Sequence, residues 1–274
     1  MSRRTPSAPV ATPFTTPFTT HFATLFAADC ATRQIGAETR ALTNHPIATW
    51  GSITACILLS CAVLISGCAS KPAPPEWQAN AHGALKDFSA AYLTGNSRVA
   101  NLEFARARSE IASTGRADLI ARAELVRCAN RVASLEFDNC AGMAGLADDV
   151  GPSERAYAAF LTGGWQTLDA VALPAQHRAL ASASNEASRN AALAGLQDPL
   201  AQLVGAGVLF QMGQLAPTGI AAAVNTASAQ GWRRPLLAWL GVQAQRADAA
   251  GDAQAKARIQ RRMELVSGSG AASP

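Results

Sequence analysis

The sequence predicts an all-α protein built from antiparallel helical hairpins, and three observations carry that reading. Ala, Leu, Arg, Gln and Glu dominate, and these residues lose little rotamer freedom in a helix. No stretch of several residues alternates cleanly between apolar and polar, as a half-buried strand requires. Apolar residues instead recur at three- and four-residue spacing between Gly, Asn and Pro breaks. Roughly the first seventy of the 274 residues do not read as folded, which leaves about 200, enough for one core.

The elements follow in chain order. Trp77 to Leu93 is a first amphipathic helix, ended by Thr94-Gly95-Asn96. Arg98 to Ser113 is the second, with Ala100, Phe104, Ala107 and Ile111 on one face. Its other face carries Glu103, Arg106 and Glu110 at ion-pair spacing, and Gly115 stops it. The third helix runs from Arg116 to about Leu135, with Ala121, Leu125, Cys128, Val132 and Leu135 on one side. A loop over Cys140–Gly145 leads to a helix opened by Pro152-Ser153 and closed at Leu161 before Gly163-Gly164. Residues 165–197 read as two short helices on either side of Asn185. Asp198-Pro199 is a helix start, an N-cap acid followed by Pro at the first helical position. Trp165, Trp232 and Trp239 belong to the core or to helix contacts.

The formal charge of +4 falls to about +2 once residues 1–68 are set aside, too little for an electrostatic nucleic-acid footprint. No nucleic-acid partner is expected. The doublets Arg233–Arg234 and Arg261–Arg262 read as solvated helix-end residues.

From Ile47 to Gly67 the chain reads IATWGSITACILLSCAVLISG, without a charge. That length spans a bilayer or forms a long signal-peptide core. Ile65-Ser66-Gly67-Cys68 resembles the lipobox of bacterial lipoproteins, in which an apolar residue and two small ones precede a cysteine. The resemblance implies cleavage between Gly67 and Cys68, diacylation of the Cys68 thiol, and a new N-terminus there. Ala-Ser-Lys-Pro-Ala-Pro-Pro then follows as a stiff tether, since Pro disfavours helix at and before itself. The alternative is an uncleaved transmembrane anchor. Ala69 after the cysteine, in place of the Asp that resembles an inner-membrane retention signal, implies the outer membrane and its periplasmic face. Residues 1–45 read as a disordered extension with a duplicated Pro-Phe-Thr-Thr, residues 1 to about 42 being absent from the mature protein. Residues 46–67 are the signal, 68–76 the lipidated cysteine and tether, 77–266 the helical domain, and 267–274 a disordered tail.

Cys30, Cys56 and Cys61 precede the cleavage point, so the mature chain keeps Cys68, Cys128 and Cys140. With Cys68 carrying lipid, an even pair in an oxidising compartment reads as a disulfide between Cys128 and Cys140. The alternative is that Cys128 is a small buried apolar residue on its helix face. Neither His82 nor His177 sits at ligand spacing from these thiols, so no metal site is expected.

Residues 198–266 carry a second resemblance. PLAQLVG (Pro199–Gly205) aligns with PLLAWLG (Pro235–Gly241), and each is followed by another helix, Thr218–Gln230 and Asp252–Val266. This period is similar to that of tetratricopeptide repeats. The resemblance places Gly241 where paired helices touch, Gly251-Asp252 at the inter-helix turn, and Ala255 and Ile259 on the packing face.

Catalytic patterns are missing. The chain has no Gly-Lys pair for a phosphate loop, no Gly-x-Ser-x-Gly elbow and no His-Glu-x-x-His. Gly205-Ala206-Gly207 lacks the third glycine of a dinucleotide fingerprint. His82 and His177 read as surface or capping residues, and Asp148-Asp149 as turn formers before Gly151-Pro152. No catalytic residue and no cofactor are therefore assigned. The expected function is that of an outer-membrane lipoprotein, held by its N-terminal lipid and acting as a helical scaffold for envelope proteins. The alternative is an envelope enzyme or ligand binder acting on peptidoglycan or lipid, with Asp148, Asp149 and a nearby Arg lining a pocket.

Overall fold

The computed structural model describes residues 74–268. The extension, the signal-like run, Cys68 and most of the tether lie outside the described residues, as do residues 269–274.

Ten α-helices and no strand occur among the described residues. The first hairpin pairs α1 (Glu76–Leu93) with α2 (Ser97–Ala112) through a turn in which Gly95 takes φ +88°. Asn96 caps α2, its side chain accepting from the Val99 amide at 3.2 Å. α3 (Ala117–Ala133) ends two residues before the expected Leu135. Leu135 turns left-handed at φ 59°, and the Glu136 amide donates back to the Arg131 carbonyl at 2.9 Å. This is the helix stop that glycine usually makes. Leu135 tolerates the strain because its side chain packs on the core.

After a loop containing a short 3₁₀ turn (Ala141–Met143) comes α4 (Pro152–Leu161). Two further 3₁₀ turns, Trp165–Thr167 and Ala170–Ala172, precede α5 (Ala175–Ser182) and α6 (Glu186–Ala194). Asn185 indeed separates those two helices, and it forms a reciprocal cap with Ser188. Two hairpins complete the chain: α7 (Pro199–Gln211) with α8 (Pro217–Ala229), then α9 (Arg233–Ala249) with α10 (Ala253–Gly268). Asp198 caps α7 as expected, accepting from the Ala201 amide at 2.7 Å. The helical region begins one residue before and ends two residues after the 77–266 span, so residues 267 and 268 belong to α10 rather than to a tail.

Two helices make the centre. α7 carries no charge and is buried on nearly every side, from Leu200 to Leu209. It packs on α3, which also touches α1, α2 and α4. Gly207 is where the α3 and α7 backbones meet, because a Cβ there would overlap the Val132 carbonyl oxygen. Asn130 and Ser89 join α3 to α1 inside the core, the Asn130 amide donating to Ser89 Oγ at 3.0 Å.

The glycines of the aligned heptads behave differently. A Cβ at Gly205 would lie 2.9 Å from Leu180 and 3.0 Å from Leu193, so that helix is closely packed there. A Cβ at Gly241 would meet nothing within 4 Å, so no neighbouring helix approaches closely there, which corrects the role given it by the repeat register. Gly251, at φ 71°, does form the inter-helix turn, with the Asp252 carboxylate accepting from the Ala255 amide at 2.8 Å. Ile259 packs against the core from α10 as expected.

Candidate functional site

Cys128 and Cys140 form a disulfide, with Cα atoms 5.1 Å apart across twelve residues. Both are 3% exposed. Cys128 lies on the apolar face of α3, while Cys140 takes a left-handed φ of 51° in the following loop. Asp138 supports that conformation by accepting from the Cys140 amide at 3.1 Å, and Arg131 holds Asp138 at 3.2 Å. The bond therefore pins the loop after α3 onto the helix that organises the core.

Around this clip sits a band of charges at the α2–α3–α4 surface. Glu124, 2% exposed, pairs with Arg127 at 2.8 Å and with Arg108. Burial pushes its carboxyl above the usual carboxylate range despite both arginines. Gly142 lies directly over it, where any Cβ would overlap the carboxylate. Glu154 pairs with Arg122 at 2.8 Å. Burial works against ionisation here too, but hydrogen bonds from Arg122, its own backbone and Ser153 outweigh burial and hold the carboxyl low.

Arg122, Ser153, Glu154, Tyr157, Leu173 and Arg178 are among the residues that line a cleft of about 160 Å³. Arg178 donates to the Leu173 carbonyl at 2.8 Å, and Tyr157 is raised well above its ordinary pKa by burial. The volume is about half the roughly 300 Å³ at which small-molecule sites begin. Asp148 and Asp149 are exposed, as suits turn formers, and are not among the lining of this cleft that the alternative reading would need.

The histidines separate. His82 is half-buried in α1, while His177 is fully buried and packs in one three-ring cluster with Tyr157, 5.7 Å away, and Phe160, 4.8 Å away. His177 is thus a core residue, and the surface or capping role is corrected. Both rings belong to α4, so the contact is a tertiary relationship with no local sequence signal. No group of three or more His, Cys, Asp or Glu suited to a metal occurs among the described residues.

Trp239 is fully buried and Trp232 nearly so, in keeping with core roles. The Trp239 indole donates to the Ala133 carbonyl at 3.1 Å, tying α9 to the end of α3. Trp165 is half-buried, stacked 5.4 Å from Phe160, with the Arg189 guanidinium 5.0 Å from the centre of its ring.

A larger trough of about 470 Å³ opens between the α1–α2 turn and the last hairpin. Gly95, Ser97, Arg233, Arg234, Leu237 and Val266 are among its lining. The first arginine doublet, expected to be solvated, instead stitches this edge together. Arg233 Nε donates to the Thr94 carbonyl at 2.8 Å. Arg234 donates to the Tyr92 carbonyl, to Ser97 Oγ and to Glu136, at 2.8, 2.6 and 3.1 Å. Arg234 is thus neutralised by Glu136, whereas Arg233 has no carboxylate partner among the described residues. The trough offers one uncompensated guanidinium beside apolar Leu237 and Val266, which suits a peptide carbonyl or carboxylate with a neighbouring apolar side chain.

No helix of the described residues is long and apolar enough to cross a membrane. No protein-family model, curated protein or solved structure matches this chain.

Proposed function

We propose that the chain is an outer-membrane lipoprotein, anchored through Cys68 and facing the periplasm, whose helical hairpins serve as an adaptor for envelope proteins. The lipobox-like Ile65–Cys68 run and the proline-rich tether supply the anchor in this reading. The Cys128–Cys140 bond is the observation that supports it most directly, because an oxidising compartment sustains such a bond and a reducing one does not. The adaptor role rests on geometry. Hairpin arrays recognise partners along grooves between helices, and the trough at Arg233 and Leu237 is open, amphipathic and walled by three helices and a turn.

Crosslinking in intact envelopes tests the adaptor role. The expected result is capture of a defined envelope protein, with crosslinks at Leu237 or Ser267, and its loss in Arg233→Glu. Envelopes that yield no protein partner would remove the basis of this reading.

A further inference from the structure

Charge is segregated along the described chain. Residues 74–232 carry eleven Arg or Lys against fourteen Asp or Glu, while residues 233–268 carry seven against three. The small overall charge thus conceals a body of −3 and a terminal hairpin of +4.

On that hairpin the cations divide by use. Arg233 and Arg234 bind the α1–α2 edge, and Lys256 pairs with Asp248 at 2.7 Å. Arg258, Arg261 and Arg262 make no ion pair with the described residues. Together with Leu265 they stand at i, i+3, i+4 and i+7, which places all four on one stripe of α10. Core packing is the work of a different stripe, formed by Ile259, Met263 and Val266. Leu265 is left 76% exposed among the arginines. α10 has no fully buried residue and packs mainly on α9, so its outer side is open along its length.

We propose that this stripe docks on an anionic lipid surface, with the three guanidiniums on headgroup phosphates and Leu265 at the acyl boundary. A basic stripe that ends in a large exposed apolar side chain is what an interfacial helix presents to such a surface. A polyanion read by charge alone has no use for Leu265, and a long one would also meet the −3 body. The proposal rests on the lipid-anchored reading, which keeps a bilayer within reach of the domain. Docking through α10 would make the hairpin a second, electrostatic foot that fixes the domain's orientation on the membrane.

The test is hydrogen exchange on the full chain, reconstituted into vesicles of phosphatidylcholine alone or mixed equally with phosphatidylglycerol. Amide exchange across residues 253–268 is expected to slow about tenfold on the anionic vesicles at low salt, and to recover at high salt. The triple variant Arg258→Gln, Arg261→Gln, Arg262→Gln should lose that difference, and Leu265→Glu should lose most of it. Unchanged exchange in Pro199–Gln211 verifies that both variants are folded. Equal exchange on the two vesicle types, or slowing retained in the triple variant, overturns the proposal. So does equal slowing by polyglutamate or a DNA oligonucleotide on neutral vesicles, which would assign the stripe to a protein or a nucleic acid. Retention on neutral vesicles reports the lipid anchor separately, so a failed anchor and a failed stripe are distinguishable.

Discussion

The Arg234 guanidinium lies 4.3 Å from the centre of the Tyr92 ring while its Nε donates to the Tyr92 carbonyl at 2.8 Å. The two residues are 142 positions apart, so this contact ties the last hairpin to the first. Burial, with the Glu136 carboxylate beside it, raises the Tyr92 phenol well above its ordinary pKa and keeps the ring neutral under Arg234. Arg234→Ala removes a stacked cation and a set of charge-assisted hydrogen bonds, and should cost roughly 2–3 kcal/mol in urea unfolding. Arg234→Lys should recover only part, because an ammonium lacks the planar fork that spans Tyr92, Ser97 and Glu136. A full recovery would show that charge alone holds the seam.

Gly207 of α7 and Gly241 of α9 give opposite expectations. Gly207→Ala drives a methyl into the backbone of α3, which cannot move aside as a side chain can, and should destabilise by about 1–3 kcal/mol. Gly241→Ala meets nothing and should stabilise by about 0.5–1 kcal/mol through helix propensity. Thermal unfolding of the pair distinguishes the contact glycine from the free one. A destabilising Gly241→Ala would restore the repeat-type contact at that position.

Removing the disulfide tests how far the loop after α3 depends on it. Cys128→Ser with Cys140→Ser should lower stability by up to about 3 kcal/mol, as expected for a loop of this length. Limited proteolysis should then cut first between residues 134 and 151, where the chain has lost its clip. Unchanged stability and cutting would mean that the salt-bridged band fixes the loop without the bond.

Two buried carboxyls should respond to acid in opposite directions. Glu154 is held below its ordinary pKa, so its stabilising contribution is present above the unfolded value, near 4.5, and is lost as pH falls below it. Glu124 is raised, so its environment favours the protonated form, and its contribution falls away as pH climbs above 4.5. Glu154→Gln should therefore be less stable than the parent at pH 7 and converge with it in acid. Glu124→Gln should equal or exceed the parent at pH 7, with the difference shrinking as pH falls. Urea midpoints between pH 3 and 7 decide this, and parallel curves for both variants would contradict the assignment.

Much of the fold was legible because it is written locally. Pro152, Asp198-Pro199, Gly115 and Asn185 mark helix boundaries through caps and breaks that act within one turn. The stripe Ala100, Phe104, Ala107, Ile111 is buried as its spacing implied. What escaped was tertiary. His177 is polar in sequence yet is buried against two aromatic rings, and Gly241 matches Gly205 by register yet leaves room for a Cβ. Leu135 carries no sign that it will replace a glycine in a left-handed stop. The trough escaped as well, since Gly95 and Arg233 meet only after the whole chain has packed. The cysteine pair was readable because the compartment implied by the lipobox resemblance narrowed the choice to two thiols.

The mass of the mature N-terminal peptide, taken from protein purified out of native envelopes, tests the central claim most directly. The account predicts a peptide that starts at Cys68 and carries a diacylglyceryl group, with nothing recovered from residues 1–67. An unmodified Cys68 peptide that continues upstream into Leu64–Gly67 would contradict it.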